Sequence, residues 1–125
     1  MKNKSLKKCT SCGATVKVIK DCECDNCNIK CCDKDMEVLT PKKGDSSLDK
    51  HVPKIEKKDT ELIISMDHVM EDEHYIEFIS YVSEEFEITK YFNPGDEVRL
   101  VVPYQKGAKV YAYCNKHDLY EKEID

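Results

Sequence analysis

Residues 86–102 read FEITKYFNPGDEVRLVV: two runs of β-favouring residues, joined by Asn93-Pro94-Gly95-Asp96. Alternation of apolar and polar residues marks a strand with one buried face, and an Asn-Pro-Gly-Asp tetrad is a clear turn signal. The runs ELIISM (61–66), YIEFISYV (75–82) and KVYAYC (109–114) are of the same kind, with SEE and QKG as further breaks. Several short strands at this spacing predict an antiparallel sandwich or barrel. The tyrosines of YVSEEFEITKYF and VYAYC then read as core and cross-strand packing residues. No long stretch has a helical period, and there is no internal repeat or low-complexity tract.

Toward the N-terminus the chemistry changes. TPKKGDSS (40–47) gathers Pro, Gly and Ser without a periodic apolar pattern, and TPKKGDSSLDK reads as a solvated linker. It divides a module over residues 1–40 from a β domain over residues 41–125. The module holds Cys9, Cys12, Cys22, Cys24, Cys27, Cys31 and Cys32 but few large apolar residues, so a metal is expected to supply the missing stability. ATVKVIK (14–20) fits one short strand.

The 125 residues carry a formal charge of -5, which argues against a general nucleic-acid surface. The basic start MKNKSLKKC is followed by no apolar run that could serve as a signal-peptide core. No segment approaches the roughly 20 apolar residues that span a bilayer. A soluble cytoplasmic protein is expected. In a reducing compartment eight cysteines point to metal or redox chemistry rather than to a disulfide framework. Adjacent Cys31 and Cys32 would close only a tiny strained ring if paired.

CTSC (9–12) is a pair of thiols that can grip one tetrahedral ion from a tight turn, and it needs two more donors. A ribbon-like set would add Cys24 and Cys27; the other set adds Cys31 and Cys32 from KCCDKDM (30–36). Spacing leaves both open. A thioredoxin-like motif fits poorly, because no βαβ pattern surrounds the pair. The second half holds all four histidines, His51, His68, His74 and His117, and the isolated Cys114 in YCNKH (113–117). A lone histidine is usually a surface or hydrogen-bonded residue. Four imidazoles with one thiolate, each near a strand end or loop, make a redox metal site the sharper hypothesis.

DKHVPKIE (49–56), HVMEDEHYIEFI (68–79) and YCNKH, preceded in order by CTSC and KCCDKDM, resemble the signature segments of desulfoferrodoxin, a superoxide reductase. The resemblance covers nearly the whole chain. It implies an all-β protein: a small metal-stabilised, desulforedoxin-like module followed by an immunoglobulin-like antiparallel β-sandwich, assembled as a homodimer. It implies a non-haem iron with His51, His68, His74 and His117 in its plane and Cys114 on its axis, the sixth position being open to superoxide. A second iron is implied in four thiolates, from Cys9, Cys12, Cys31 and Cys32. The implied reaction is one-electron reduction of superoxide to hydrogen peroxide, with electrons from a rubredoxin-like donor. Lys50 is then the local cation that attracts the anion, and Asp49 the carboxylate beside it, where the family usually has Glu-Lys-His before Val-Pro. The segment DCECDNC (21–27) has no counterpart in the family pattern. The competing classes are a non-catalytic iron electron-transfer protein and a zinc-ribbon interaction module. The run EDE (71–73) reads as a solvated loop between two ligands.

Overall fold

The computed structural model describes residues 5–20, 22–24, 28–43 and 50–125. The chain forms two compact units, Met1–Thr40 and Pro41–Asp125. Every regular element among the described residues is a strand.

In the first unit, β1 (Ser5–Lys8) pairs antiparallel with β2 (Thr15–Val18) on one side and β5 (Glu37–Val38) on the other. A two-stranded hairpin lies between them in sequence, β3 (Lys30–Cys31) and β4 (Lys34–Asp35), in which Cys31 pairs with Lys34. Its two loop residues, Cys32 and Asp33, have φ of 53° and 61°. Two successive left-handed residues make a type I′ turn, whose twist matches that of paired strands. Buried apolar side chains among the described residues of this unit are few: Cys9, Val18 and Met36.

The second unit holds two antiparallel sheets. One has the order β10 (Arg99–Pro103), β7 (Glu61–Ser65), β6 (Lys54–Lys58). The other has the order β12 (Asp118–Glu123), β11 (Lys109–Cys114), β8 (Ile76–Val82), β9 (Glu87–Tyr91). Leu62, Ile64 and Val102 from the first sheet meet Ile79, Tyr81, Val110 and Ala112 from the second in one core. This is the all-β sandwich expected from the sequence. The alternation in residues 86–102 is realised as well: Phe92, Val98 and Val102 lie in the core, and Phe86, Ile88 and Leu100 pack against it. The NPGD turn therefore does not close a hairpin, because β9 and β10 belong to different sheets. It carries the chain across the sandwich, with Gly95 at φ 87°.

Two irregularities sit at the end of the second sheet where the histidines gather. Tyr113 pairs with Phe78, yet the next residue, Cys114, pairs with Ile76, so Glu77 is an extra residue in β8. The bulge lets both Ile76 and Ile79 face the core, a re-aiming of side chains common beside functional sites. β11 and β12 are joined by a three-residue loop, Asn115 to His117, closed by the pair Cys114–Asp118. Asp118 has φ 63°, the left-handed residue such loops need. Most tyrosines pack as expected, with Tyr113 stacked on Phe78 at 5.3 Å, but Tyr91 on edge strand β9 is 75% exposed.

Candidate metal centres

The first cluster is built on two tight turns. The Cys9 N–H donates to the Ala14 carbonyl at 2.8 Å, and the Gly13 N–H donates to the Cys9 carbonyl at 2.9 Å, Gly13 having φ 82°. This folds CTSC back on itself, as its spacing predicts. The type I′ turn does the same for Cys31 and Cys32. The sulfurs of Cys9, Cys12, Cys31 and Cys32 all lie within 4.8 Å of one another, with Cys12 Sγ 3.6 Å from Cys31 Sγ. Of the alternatives the sequence left open, it is the vicinal pair that meets CTSC. Cys24 is an exposed free thiol outside the group, and Cys27 lies outside the described residues. Cys22 is disulfide-bonded, so the cysteine-rich segment is not all free thiol as expected for a reducing setting.

The electrostatics of the four thiols fit a cation. Backbone N–H groups of Cys12 and then Ser11 lower the Cys9 thiol to about 6, which favours a thiolate there. Side-chain hydrogen bonding with Cys12 and then Cys9 pushes Cys31 up to about 12, and the same kind of bond with Cys12 raises Cys32. Four thiolates this close repel one another unless a cation sits among them, and soft sulfur donors in that number suit iron or zinc.

The second cluster draws on four separate segments. Cys114 is the last paired residue of β11 and is fully buried. His117 follows it in the three-residue loop, with Nδ1 3.6 Å from Cys114 Sγ. His51 Nε2 lies 2.9 Å from the same His117 Nδ1. His74 closes a tight turn, in which Glu71 and His74 exchange backbone bonds of 3.0 and 3.1 Å; Glu71, Asp72 and Glu73 are exposed, in keeping with the solvated loop expected there. Donor atoms of His51, His74, Cys114 and His117 lie within 4.8 Å of one another. His68 stands outside that tightest group, but its ring is 4.7 Å from that of His51 and 4.6 Å from that of His74.

His68 carries the most telling detail. Its Nδ1 is 2.6 Å from the Val69 carbonyl. A carbonyl only accepts, so Nδ1 bears the proton and Nε2 presents a bare lone pair. Burial, with the nearby imidazoles, lowers its pKa and keeps the ring neutral. That Nε2 and His74 Nε2 are buried without a hydrogen-bond partner. Buried ring nitrogens without a partner are costly away from water, and such nitrogens suit a metal ion. The 2.9 Å between His51 Nε2 and His117 Nδ1 matches the roughly 3 Å between neighbouring donors each about 2.1 Å from one ion. Desolvation first, then His51, His74 and Lys42, lowers the His117 pKa, again favouring the neutral ligating form.

Further residues hold this arrangement through contacts that residue type alone does not announce. The Gly95 N–H donates to the Met70 carbonyl at 2.7 Å, so the NPGD turn anchors the segment that follows His68. Lys42 Nζ donates to the His117 carbonyl at 2.9 Å and sits over the Tyr120 ring. Tyr120 in turn stacks on His51 at 4.8 Å. Lys50 is exposed, directly before His51. Its charge adds to the lowering of the Asp67 pKa, which Lys54 causes first by a hydrogen bond and then by its charge. Asp49 lies outside the described residues.

Known proteins similar to this chain point to one family. The family model described as Desulfoferrodoxin matches residues 43–123. The chain is 33% identical over 120 residues to a desulfoferrodoxin of Syntrophotalea carbinolica, covering 93% of each chain. Among solved structures, a superoxide reductase from Treponema pallidum superposes with a TM-score of 0.69 at 14% identity, over 95% of this chain and 96% of that one. A superoxide reductase from Giardia intestinalis superposes with a TM-score of 0.51 at 25% identity, over 61% of this chain and 97% of that one. The Treponema likeness supports the fold; the family match, which spans the histidines and Cys114, and the Syntrophotalea relative go further. The chain belongs to the desulfoferrodoxin family.

Proposed function

We propose that this protein is a superoxide reductase that removes superoxide in the cytoplasm, as a homodimer, with electrons from a rubredoxin-like donor. The observation that carries it is the meeting of four histidines and buried Cys114 around unpartnered ring nitrogens, in a member of this family. His51, His68, His74, Cys114 and His117 would hold the catalytic iron, and Cys9, Cys12, Cys31 and Cys32 a second iron; the two donor sets fit two iron centres. We assign the module to residues 1–40 and the reductase domain to residues 41–125. When bound, the iron in the histidine-cysteine set supplies the one electron that, with two protons, turns superoxide into hydrogen peroxide.

The chain's own residues do the rest. Cys114, buried at the end of β11, would offer its sulfur to that iron from a position closed to solvent. Val69 and Lys42 fix the His68 ring and the His117 backbone. Lys50 attracts the superoxide anion against the net charge of -5, and Asp49 is the carboxylate that precedes it in sequence.

The test is anaerobic purification, iron analysis and mixing of the reduced protein with superoxide. Two irons per chain and one peroxide formed per superoxide, without dioxygen release, are expected. Two irons with no reaction would leave an electron carrier, and zinc alone would leave an interaction module. Lys50→Ala is expected to slow the second-order reaction about 10-fold and flatten its dependence on ionic strength, because steering by a surface charge is screened by salt. Iron content should stay the same. An unaltered rate and salt slope would make Lys50 an ordinary surface residue.

A further inference from the structure

Asn115 lies between Cys114 and His117, yet its polar groups are spent on another segment. Its side-chain Oδ1 accepts from the Tyr75 N–H at 2.9 Å. Its Nδ2 donates to the Glu73 carbonyl at 3.0 Å. Its own N–H donates to the Tyr75 carbonyl at 3.2 Å. The three bonds fall on the residues immediately before and after His74. The backbone of His74 itself is engaged in the turn with Glu71. His74 is thus held from one side by its own turn and from the other by the loop that carries two further donors.

Rotation of the amide is fixed by its partners, since an N–H can only donate and a carbonyl can only accept. The task calls for an acceptor and a donor on one short planar fork. Aspartate lacks the donor, serine lacks the span, and glutamine is one methylene too long. We propose that Asn115 is the positioning residue that keeps His74 in register with Cys114 and His117, so that donors from two loops reach one ion together. The role rests on the metal-site reading above and concerns how that site is preorganised, not which groups ligate. Removing the clamp leaves the loops free to drift and should weaken metal binding by the 10–100-fold typical of outer partners.

Cobalt(II) titration of the metal-free full-length chain tests this, in competition with a chelator. The tetrathiolate site and the histidine-cysteine site absorb differently in the visible range, so each is followed separately in one sample. Asn115→Ala should bind cobalt about 10–100-fold more weakly at the histidine-cysteine site and shift its spectrum, with the tetrathiolate site unchanged. Asn115→Asp keeps the acceptor for the Tyr75 N–H and should fall between wild type and alanine. Hydrogen exchange of the Tyr75 amide in the metal-free protein should speed up in the alanine variant. Wild-type affinity, spectrum and exchange in Asn115→Ala would overturn the proposal while leaving the metal site standing. If the wild-type chain takes no cobalt at that site, the metal reading itself falls. If the alanine variant does not fold, the aspartate variant decides: intermediate affinity supports the clamp, and wild-type affinity overturns it.

Discussion

Cys114→Ser is expected to slow superoxide consumption by more than about 100-fold, beyond the 10–100-fold that loss of an outer partner costs a metal site. The side chain is fully buried at the last pair of β11, with its sulfur beside His117 Nδ1. Serine nearly preserves the volume, so the core of Ile79, Ala112 and Val110 should stand. The chemistry changes far more than the shape. A thiol surrounded by imidazoles can become a thiolate when a cation is at hand, whereas a hydroxyl ionises far less readily and offers a hard donor. The visible absorption due to the histidine-cysteine centre should therefore vanish or shift. Absorption from the tetrathiolate cluster should persist, because its four sulfurs belong to the other unit. Pulse-radiolysis rates, iron content and visible spectra on one preparation check all three expectations. A variant that reduces superoxide at the wild-type rate would remove Cys114 from the ligand set.

The strands legible in the sequence were those with an apolar face. ELIISM, YIEFISYV, FEITKYF, EVRLVV and KVYAYC correspond to β7, β8, β9, β10 and β11. Two strands of the same unit escaped, β6 (KIEKK) and β12 (DLYEKE), and both are sheet edges. Edge strands protect themselves from further pairing with charge, and that charge hides them from a reading based on hydrophobic alternation. Pairing was equally hidden. Alternation is a local property, whereas the placing of β9 and β10 in different sheets depends on contacts far apart in sequence.

The residues of the two candidate clusters were legible through residue type and resemblance, because a metal site calls for histidine and cysteine. Their supports were not. Val69 and Met70 act through backbone carbonyls, which any residue offers. Tyr120 acts through a stacked ring and Lys42 through a bond across 75 residues. Asn115 and Gly95 did lie inside motifs that drew attention, YCNKH and NPGD. Their partners could be found only once the loops were folded together.

The second large effect is expected in the first unit, where Cys9→Ser or Cys32→Ser should lose the tetrathiolate iron and unfold much of residues 1–40. Among the described residues, Val18 and Met36 are the buried apolar side chains there apart from Cys9 itself, and two such residues contribute only about 3–6 kcal/mol. A structural tetrahedral metal site contributes on the order of 10 kcal/mol, so the ion is the larger part of what holds such a unit. The two variants probe different turns. Cys9 anchors the fold of CTSC through its backbone bonds to Ala14 and Gly13, and its thiol is the one that neighbouring N–H groups favour as thiolate. Cys32 occupies a left-handed position of the β3–β4 turn, which serine tolerates about as well, so its replacement tests ligation rather than turn geometry. Replacing Cys22, Cys24 and Cys27 together should leave this iron bound, since Cys22 is disulfide-bonded and Cys24 stands outside the sulfur cluster. Iron per chain, visible absorption and proteolytic resistance of the N-terminal unit report each outcome, and superoxide consumption by the second unit serves as a control. Retention of the iron in Cys32→Ser, with its loss in the triple variant, would move the site to the ribbon-like set of Cys9, Cys12, Cys24 and Cys27.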